Sequence, residues 1–112
     1  MRSKTFNSRA MEKAATEVAG ILRALANERR LMILCKLVEW GEGTVNSLAE
    51  TVGLSQSALS QHLAIMREEG LVTYRRQSQT LWYRIADTRI KNVLATLHKL
   101  YCNHAIKLEP RS

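Results

Sequence analysis

Two thiols, Cys35 and Cys102, and three imidazoles, His62, His98 and His104, carry most of the covalent and metal chemistry open to this chain. His98, Cys102 and His104 crowd into LHKLYCNHAI, residues 97–106, while Cys35 stands apart in LMILCKL. A cysteine between two histidines reads as a metal set, a thiol activated by an imidazole, a redox partner for another thiol, or packing. Helical spacing puts His98 and Cys102 on one face, which offers zinc two of the roughly four ligands it takes; His104 points elsewhere. A thiol enzyme built on Cys102 and His98 lacks a third orienting group and a loop for an oxyanion hole, so the chain is expected not to be an enzyme. His62 falls at the edge of an apolar helix face, where it packs or makes a local hydrogen bond. No metal site and no cofactor are expected.

A second set of residues offers recognition rather than bond making. In SQSALSQHL, Ser55, Gln56, Ser57, Ser60 and Gln61 are short and polar and fall on the side of a helix away from Leu59, Leu63 and Met66. Glutamine can pair with adenine through two hydrogen bonds, serine can donate or accept at several bases, and a helix N-terminus can hold a phosphate. The alternative is an ordinary solvated face. In TYRRQSQT, Arg75 and Arg76 precede a tip holding Gln77 and Gln79, suited to clamping phosphates or entering a minor groove; Arg84, on the returning run, reads better as a charged edge that discourages strand pairing. Seventeen Lys and Arg against ten acids give a net charge of +7, which favours a polyanionic partner.

The elements that position these residues are mostly helical. The first ten residues read as a polar, flexible tail, residues 11–106 as a single domain, and 107–112 as a second tail. Val18, Ile21, Leu22 and Leu25 recur at helical spacing; Asn27 caps ERRLMILCKLVEW, with Leu31, Leu34 and Val38 inward and Cys35 at the boundary. Thr44 caps VNSLAETV, Gly53 closes it, and Ser55 starts the next helix. LVTYRR and LWYRI flank Gln77 to Thr80 as an antiparallel hairpin. From Asp87 onward the helical period returns, with Ile90, Val93, Leu94, Leu97, Leu100 and Tyr101 in one stripe. This order is that of a winged helix-turn-helix: mainly α with a β-hairpin wing. One recognition helix covers little DNA, so a homodimer is expected, joined through the stripes of the first and last helices. Its operator is expected to be an inverted repeat with half-sites about one helical turn apart. No apolar run approaches the roughly 18 residues of a membrane span, and MRSKTFNSRAMEKAATE holds no signal segment, so the protein is expected in the cytoplasm. Thiols are kept reduced there, and a bond between the two cysteines would be transient.

ILRALANERRLMILCKL, followed by LAETVGLSQSALSQHLAIMREEGLVTYRRQSQTLWYRI, resembles the ArsR/SmtB family of bacterial winged-helix repressors over nearly the whole chain. The cysteines of LMILCKL and LHKLYCN resemble the sulfide- and persulfide-responsive, BigR/SqrR/HlyU-type branch of that family. The resemblance implies a homodimer that binds double-stranded operator DNA when reduced and lets go when reactive sulfur species or oxidants link Cys35 to Cys102. It also places DNA contact at Gln56, Ser57, Ser60 and Gln61 and at the wing around Arg75 and Arg76. The family contains metal sensors too. One class needs a Cys-x-Cys pair on the bracing helix, and VNSLAETV has no cysteine; another needs Asp, His, His and Glu along the last helix, where Asp87 is present but Arg89 and Leu100 stand where histidines would fall. A winged helix that binds protein instead of DNA is the other alternative.

Overall fold

Each helix after the first starts where a short side chain can accept a backbone N–H that the helix itself leaves without a partner. Asn27 accepts from Arg30 N at 3.0 Å and opens α2 (Glu28–Trp40). Thr44 accepts from Ser47 N at 3.1 Å and opens α3 (Val45–Val52), and Ser55 accepts from Ala58 N at 3.0 Å and opens α4 (Gln56–Glu68). Asp87 accepts from Arg89 N at 2.7 Å and opens α5 (Thr88–Leu97), which runs on into one π turn, His98–Cys102. Gly53, at φ 74, supplies the left-handed residue that ends α3 and lets α4 follow after the short turn Gly53, Leu54, Ser55. These details come from a computed structural model that describes residues 8–102, Cys102 through its backbone only. His104 and the segment 107–112 lie outside the described residues.

The first helix, α1 (Ser8–Leu25), begins inside the stretch expected to be a flexible tail, because Ala10, Ala14 and Ala15 favour helix and nothing before Ala26 stops it. The hairpin pairs β1 (Val72–Gln77) with β2 (Thr80–Ile85) in antiparallel register from Val72↔Ile85 to Gln77↔Thr80. The turn is therefore only Ser78 and Gln79, shorter than the four-residue tip expected, and Ser78 has the positive φ of 57 that primed two-residue hairpins require. Gly43 adds a short third edge, exchanging both backbone hydrogen bonds with Tyr83 at 2.9 and 2.8 Å.

The core gathers Ile33, Leu34 and Leu37 of α2 with Leu48, Val52, Leu59, Leu63, Met66 and Leu94. Leu31 and Val38, expected to point inward, are only partly buried: α2 packs on α3, α5 and β2 together, so its innermost line shifts to Ile33 and Leu37. Leu25, Ile90 and Leu94, expected at a dimer interface, are 4%, 4% and 0% exposed and already belong to the subunit's own core. The rest of those stripes is bare, with Val18, Leu22, Val93, Leu97, Leu100 and Tyr101 exposed and Ile21 partly buried. Only Leu25 of α1 is buried, although the helix runs 18 residues. A helix takes most of its stability from packing an apolar face, and within the subunit α1 packs only through its C-terminal end, where Leu25 is buried and Ile21 and Ala24 lie against the core. No helix among the described residues is long and apolar enough to cross a membrane.

Candidate functional site

On α4, Gln56, Ser57, Ser60 and Gln61 are all exposed, opposite the fully buried Leu59, Leu63 and Met66. Ser55 is exposed too, its hydroxyl oxygen engaged as the helix cap. No large side chain stands between this face and solvent at its N-terminal end, so it can approach a base-pair edge. One contact was not foreseen: Gln56 Nε2 donates to Asn46 Oδ1, from the second residue of α3. The sequence carries no local sign of it, because the two residues meet only once the Gly53 turn has folded α4 across α3.

The wing divides its two arginines. Arg75 is held within the subunit by three hydrogen bonds: Nε and Nη2 donate to the two carboxylate oxygens of Glu42 at 2.8 and 2.9 Å, and Nη1 donates to Gln77 Oε1 at 3.0 Å. Its guanidinium also lies 5.6 Å from the ring centre of Trp82, its cross-strand partner. The hydrogen bonds from Arg75 hold the Glu42 carboxyl below the usual carboxylate range, and Glu42 in turn raises Arg75. In the subunit by itself these contacts tie Arg75, expected as a phosphate clamp, to Glu42 and so link the wing to the body. Arg76 is exposed and, among the described residues, makes no ion pair or side-chain hydrogen bond. Gln79 is exposed at the turn and Arg84 on the returning strand. Arg67 of α4 stacks 4.4 Å from the Tyr74 ring, a second tether at the base of the wing.

Cys35 is half-buried on α2 and lines an apolar groove of about 670 Å³ with Leu31, Met32, Leu94, Leu97, His98 and Tyr101. The far wall of the groove is thus α5 and the π turn that ends at Cys102. An i→i+5 turn holds about one more residue than an α turn. The α-helical spacing that would put His98 and Cys102 on one face therefore does not carry through to Cys102. At the rim, Glu39 takes Lys36 Nζ at 2.8 Å and stands 3.4 Å from His98 Nε2. Lys36, with a smaller contribution from His98, holds the Glu39 carboxyl below its ordinary range. Glu39 thus holds Lys36 and His98 at the rim of the groove that Cys35 lines. Asp87 is engaged as a helix cap and by Arg89 Nη2 at 3.0 Å. Among the described residues no three His, Cys, Asp or Glu side chains gather as a metal set.

Comparison with known proteins places these features. Residues 27–74 match the model for bacterial regulatory proteins of the arsR family. The chain is 44% identical over 102 residues to the transcriptional activator HlyU of Vibrio cholerae, covering 91% of this chain and 94% of that protein. The structure of reduced HlyU superposes with a TM-score of 0.78 at 47% identity, covering 84% of this chain and 98% of that one. The transcriptional repressor BigR from Xylella fastidiosa gives a TM-score of 0.81 at 35% identity, over 95% of this chain and 100% of the other. The homodimeric winged helix-turn-helix DNA-binding domain Mb0332 of Mycobacterium bovis gives 0.69 at 28% identity, over 99% and 100%.

Proposed function

Because the chain belongs to the arsR family of bacterial regulatory proteins, we propose that it is a homodimeric repressor that binds an inverted-repeat operator while its thiols are reduced and releases it when Cys35 and Cys102 are linked. DNA reading is supported by the exposed Gln56, Ser57, Ser60 and Gln61 on α4 beside an open Arg76. Dimerisation is supported by Val18 and Leu22, left exposed along α1, and by the bare line Val93, Leu97, Leu100 and Tyr101. The observation that carries the switch is the groove: Cys35 faces, across it, the segment that ends at Cys102.

The chemistry balances with sulfane sulfur as the two-electron oxidant. A thiolate takes one sulfur atom from a polysulfide to become Cys–S–SH, and the polysulfide leaves one sulfur shorter. The second cysteine, as thiolate, attacks the inner sulfur; a Cys–S–S–Cys bond forms and hydrosulfide leaves. A cysteine carrying two added sulfurs gives, by the same displacement, a bridge one atom longer. A direct disulfide needs Cα atoms within about 4.4–6.8 Å, so the separation at rest selects between the two products. The link joins α2 to the end of α5, which bears the proposed dimer face, and so alters the spacing of the two recognition helices. Coupling of this kind is typically about 1–3 kcal/mol, or a 5- to 150-fold loss of operator affinity.

The test treats the reduced protein with polysulfide, peroxide or oxidised glutathione, then takes intact mass and operator affinity from the same sample. The expected result is a loss of two hydrogens, with or without whole sulfur atoms gained, together with weakened binding, and neither change in Cys35→Ser. Full cross-linking with unchanged operator affinity refutes the switch and leaves the DNA-binding assignment standing.

A further inference from the structure

Gln56 is the first residue of α4, where a recognition helix meets base edges, and it is exposed. Its amide is nonetheless not loose, because Nε2 donates to Asn46 Oδ1. An amide nitrogen carries two hydrogens. With one spent on Asn46, Oε1 and the second N–H remain as an acceptor and a donor side by side, the pair that matches adenine N6 and N7. We propose that Asn46 is a positioning residue for operator specificity, holding the Gln56 amide in its adenine-reading orientation before DNA arrives. The proposal rests on the DNA-reading role given to α4 above.

Two features make Asn46 suited to this. It belongs to α3, whose Leu48, Ala49 and Val52 are locked in the core, so its backbone is a fixed reference for the more exposed start of α4. It is exposed itself, and its contact with Gln56 leaves Ser57, Ser60 and Gln61 uncovered. Without it, Gln56 would have to be ordered at the moment of binding, which costs roughly a factor of 2–12 in affinity for one rotamer-rich side chain. The loss would fall on the adenine that Gln56 reads and on no other base pair. A residue that merely stabilised the fold, or touched a phosphate, would change affinity for every sequence alike.

The experiment uses the full reduced protein. Wild type selects its operator from a random duplex pool, and each base pair of the selected half-site is then varied in turn against wild type, Gln56→Ala, Asn46→Ala and Asn46→Asp. The expected result is one adenine position at which Gln56→Ala abolishes preference and Asn46→Ala lowers it about 2- to 12-fold, with other positions unchanged. Asn46→Asp keeps the accepting oxygen and adds a charge, so it retains the adenine preference while binding all sequences more weakly. Asn46→Ala with adenine preference intact, or with an equal loss at every position, overturns the proposal. Gln56→Ala with no change at any base pair overturns the reading of α4 itself.

Discussion

The division of labour between Arg75 and Arg76 makes a quantitative prediction about salt. Each phosphate that a protein neutralises steepens the dependence of log affinity on log salt by about 0.9. A dimer carries two copies of Arg76, so Arg76→Ala should make the slope shallower by about 1.8, and between 50 and 200 mM salt wild type should lose about 12-fold more affinity than the variant. Arg75→Ala should leave the slope where it was, because the guanidinium is already neutralised by both oxygens of Glu42 at 2.8 and 2.9 Å. Glu42→Gln removes that counter-charge and should steepen the slope, by up to about 1.8 if both released guanidinia reach phosphate. The assay is anisotropy of a labelled operator titrated with reduced protein at several salt concentrations. If Arg75→Ala flattens the slope as much as Arg76→Ala does, Arg75 exchanges Glu42 for phosphate on binding and the tether reasoning fails. If neither variant changes it, the wing does not touch the backbone.

Three further outcomes follow from packing and charge. A Cβ added at Gly43 would lie 3.2 Å from Leu48 Cγ and from Trp40 Cε3, and 3.4 Å from Leu37 Cδ2. Leu48 and Leu37 are buried and cannot yield, so Gly43→Ala should cost about 1–3 kcal/mol and lower Tm by about 4–8 °C per kcal/mol; an unchanged melting curve at matched protein concentration would show that the wall gives way. Val18→Glu with Leu22→Glu, at positions 50% and 55% exposed in the subunit, should turn a dimer into a monomer in sedimentation and abolish operator binding with helical circular dichroism largely kept; a persisting dimer would place the interface elsewhere. The depressed Glu42 carboxyl means that its contribution to wing docking is complete above the ordinary glutamate range and lost as pH falls through its lowered folded value. Trp82 fluorescence in a Trp40→Phe background should therefore be flat from about pH 8 to 5 and change only below about pH 4, whereas a transition near neutrality would point to another titrating group.

How far this was legible in the sequence depends on how local each determinant is. The starts of α2, α3 and α4 were readable because a cap is a contact between residues three apart, and that of α5 because the helical period returns at Asp87. The polar face of α4 was readable because helical period alone sets it opposite Leu59, Leu63 and Met66. The last helix was harder. Period marked a stripe from Ile90 to Tyr101 but could not divide it between Ile90 and Leu94, which the subunit buries, and Val93, Leu97, Leu100 and Tyr101, which it leaves bare. Nor could it show that the helix changes to a π turn just where His98 and Cys102 stand. Contacts across elements were out of reach: Glu42 meets Arg75 over 33 positions and Asn46 meets Gln56 over 10, and nothing in either short run marks its partner.

The same distribution of burial decides where a bridge between the thiols would act. Cys35 rides on α2, whose Ile33, Leu34 and Leu37 are almost fully buried, and Arg29 Nη1 ties the start of α2 to Val52 O at the end of α3, 2.9 Å away. A densely packed core of this kind yields little, because any shift of one side chain must be matched by its neighbours. α2, α3 and the helix-turn-helix beyond them therefore behave as one anchor. Across the groove, α5 is fixed to that anchor by Ile90 and Leu94, but the segment after Leu94 has no buried residue among those whose burial is described. Pulling Cys102 toward Cys35 must displace the exposed end of the last helix before it displaces the recognition helix. That end carries Leu97, Leu100 and Tyr101 of the proposed dimer face, so the proposed bridge would alter how two intact DNA-reading units are held relative to each other, leaving each unit as it was.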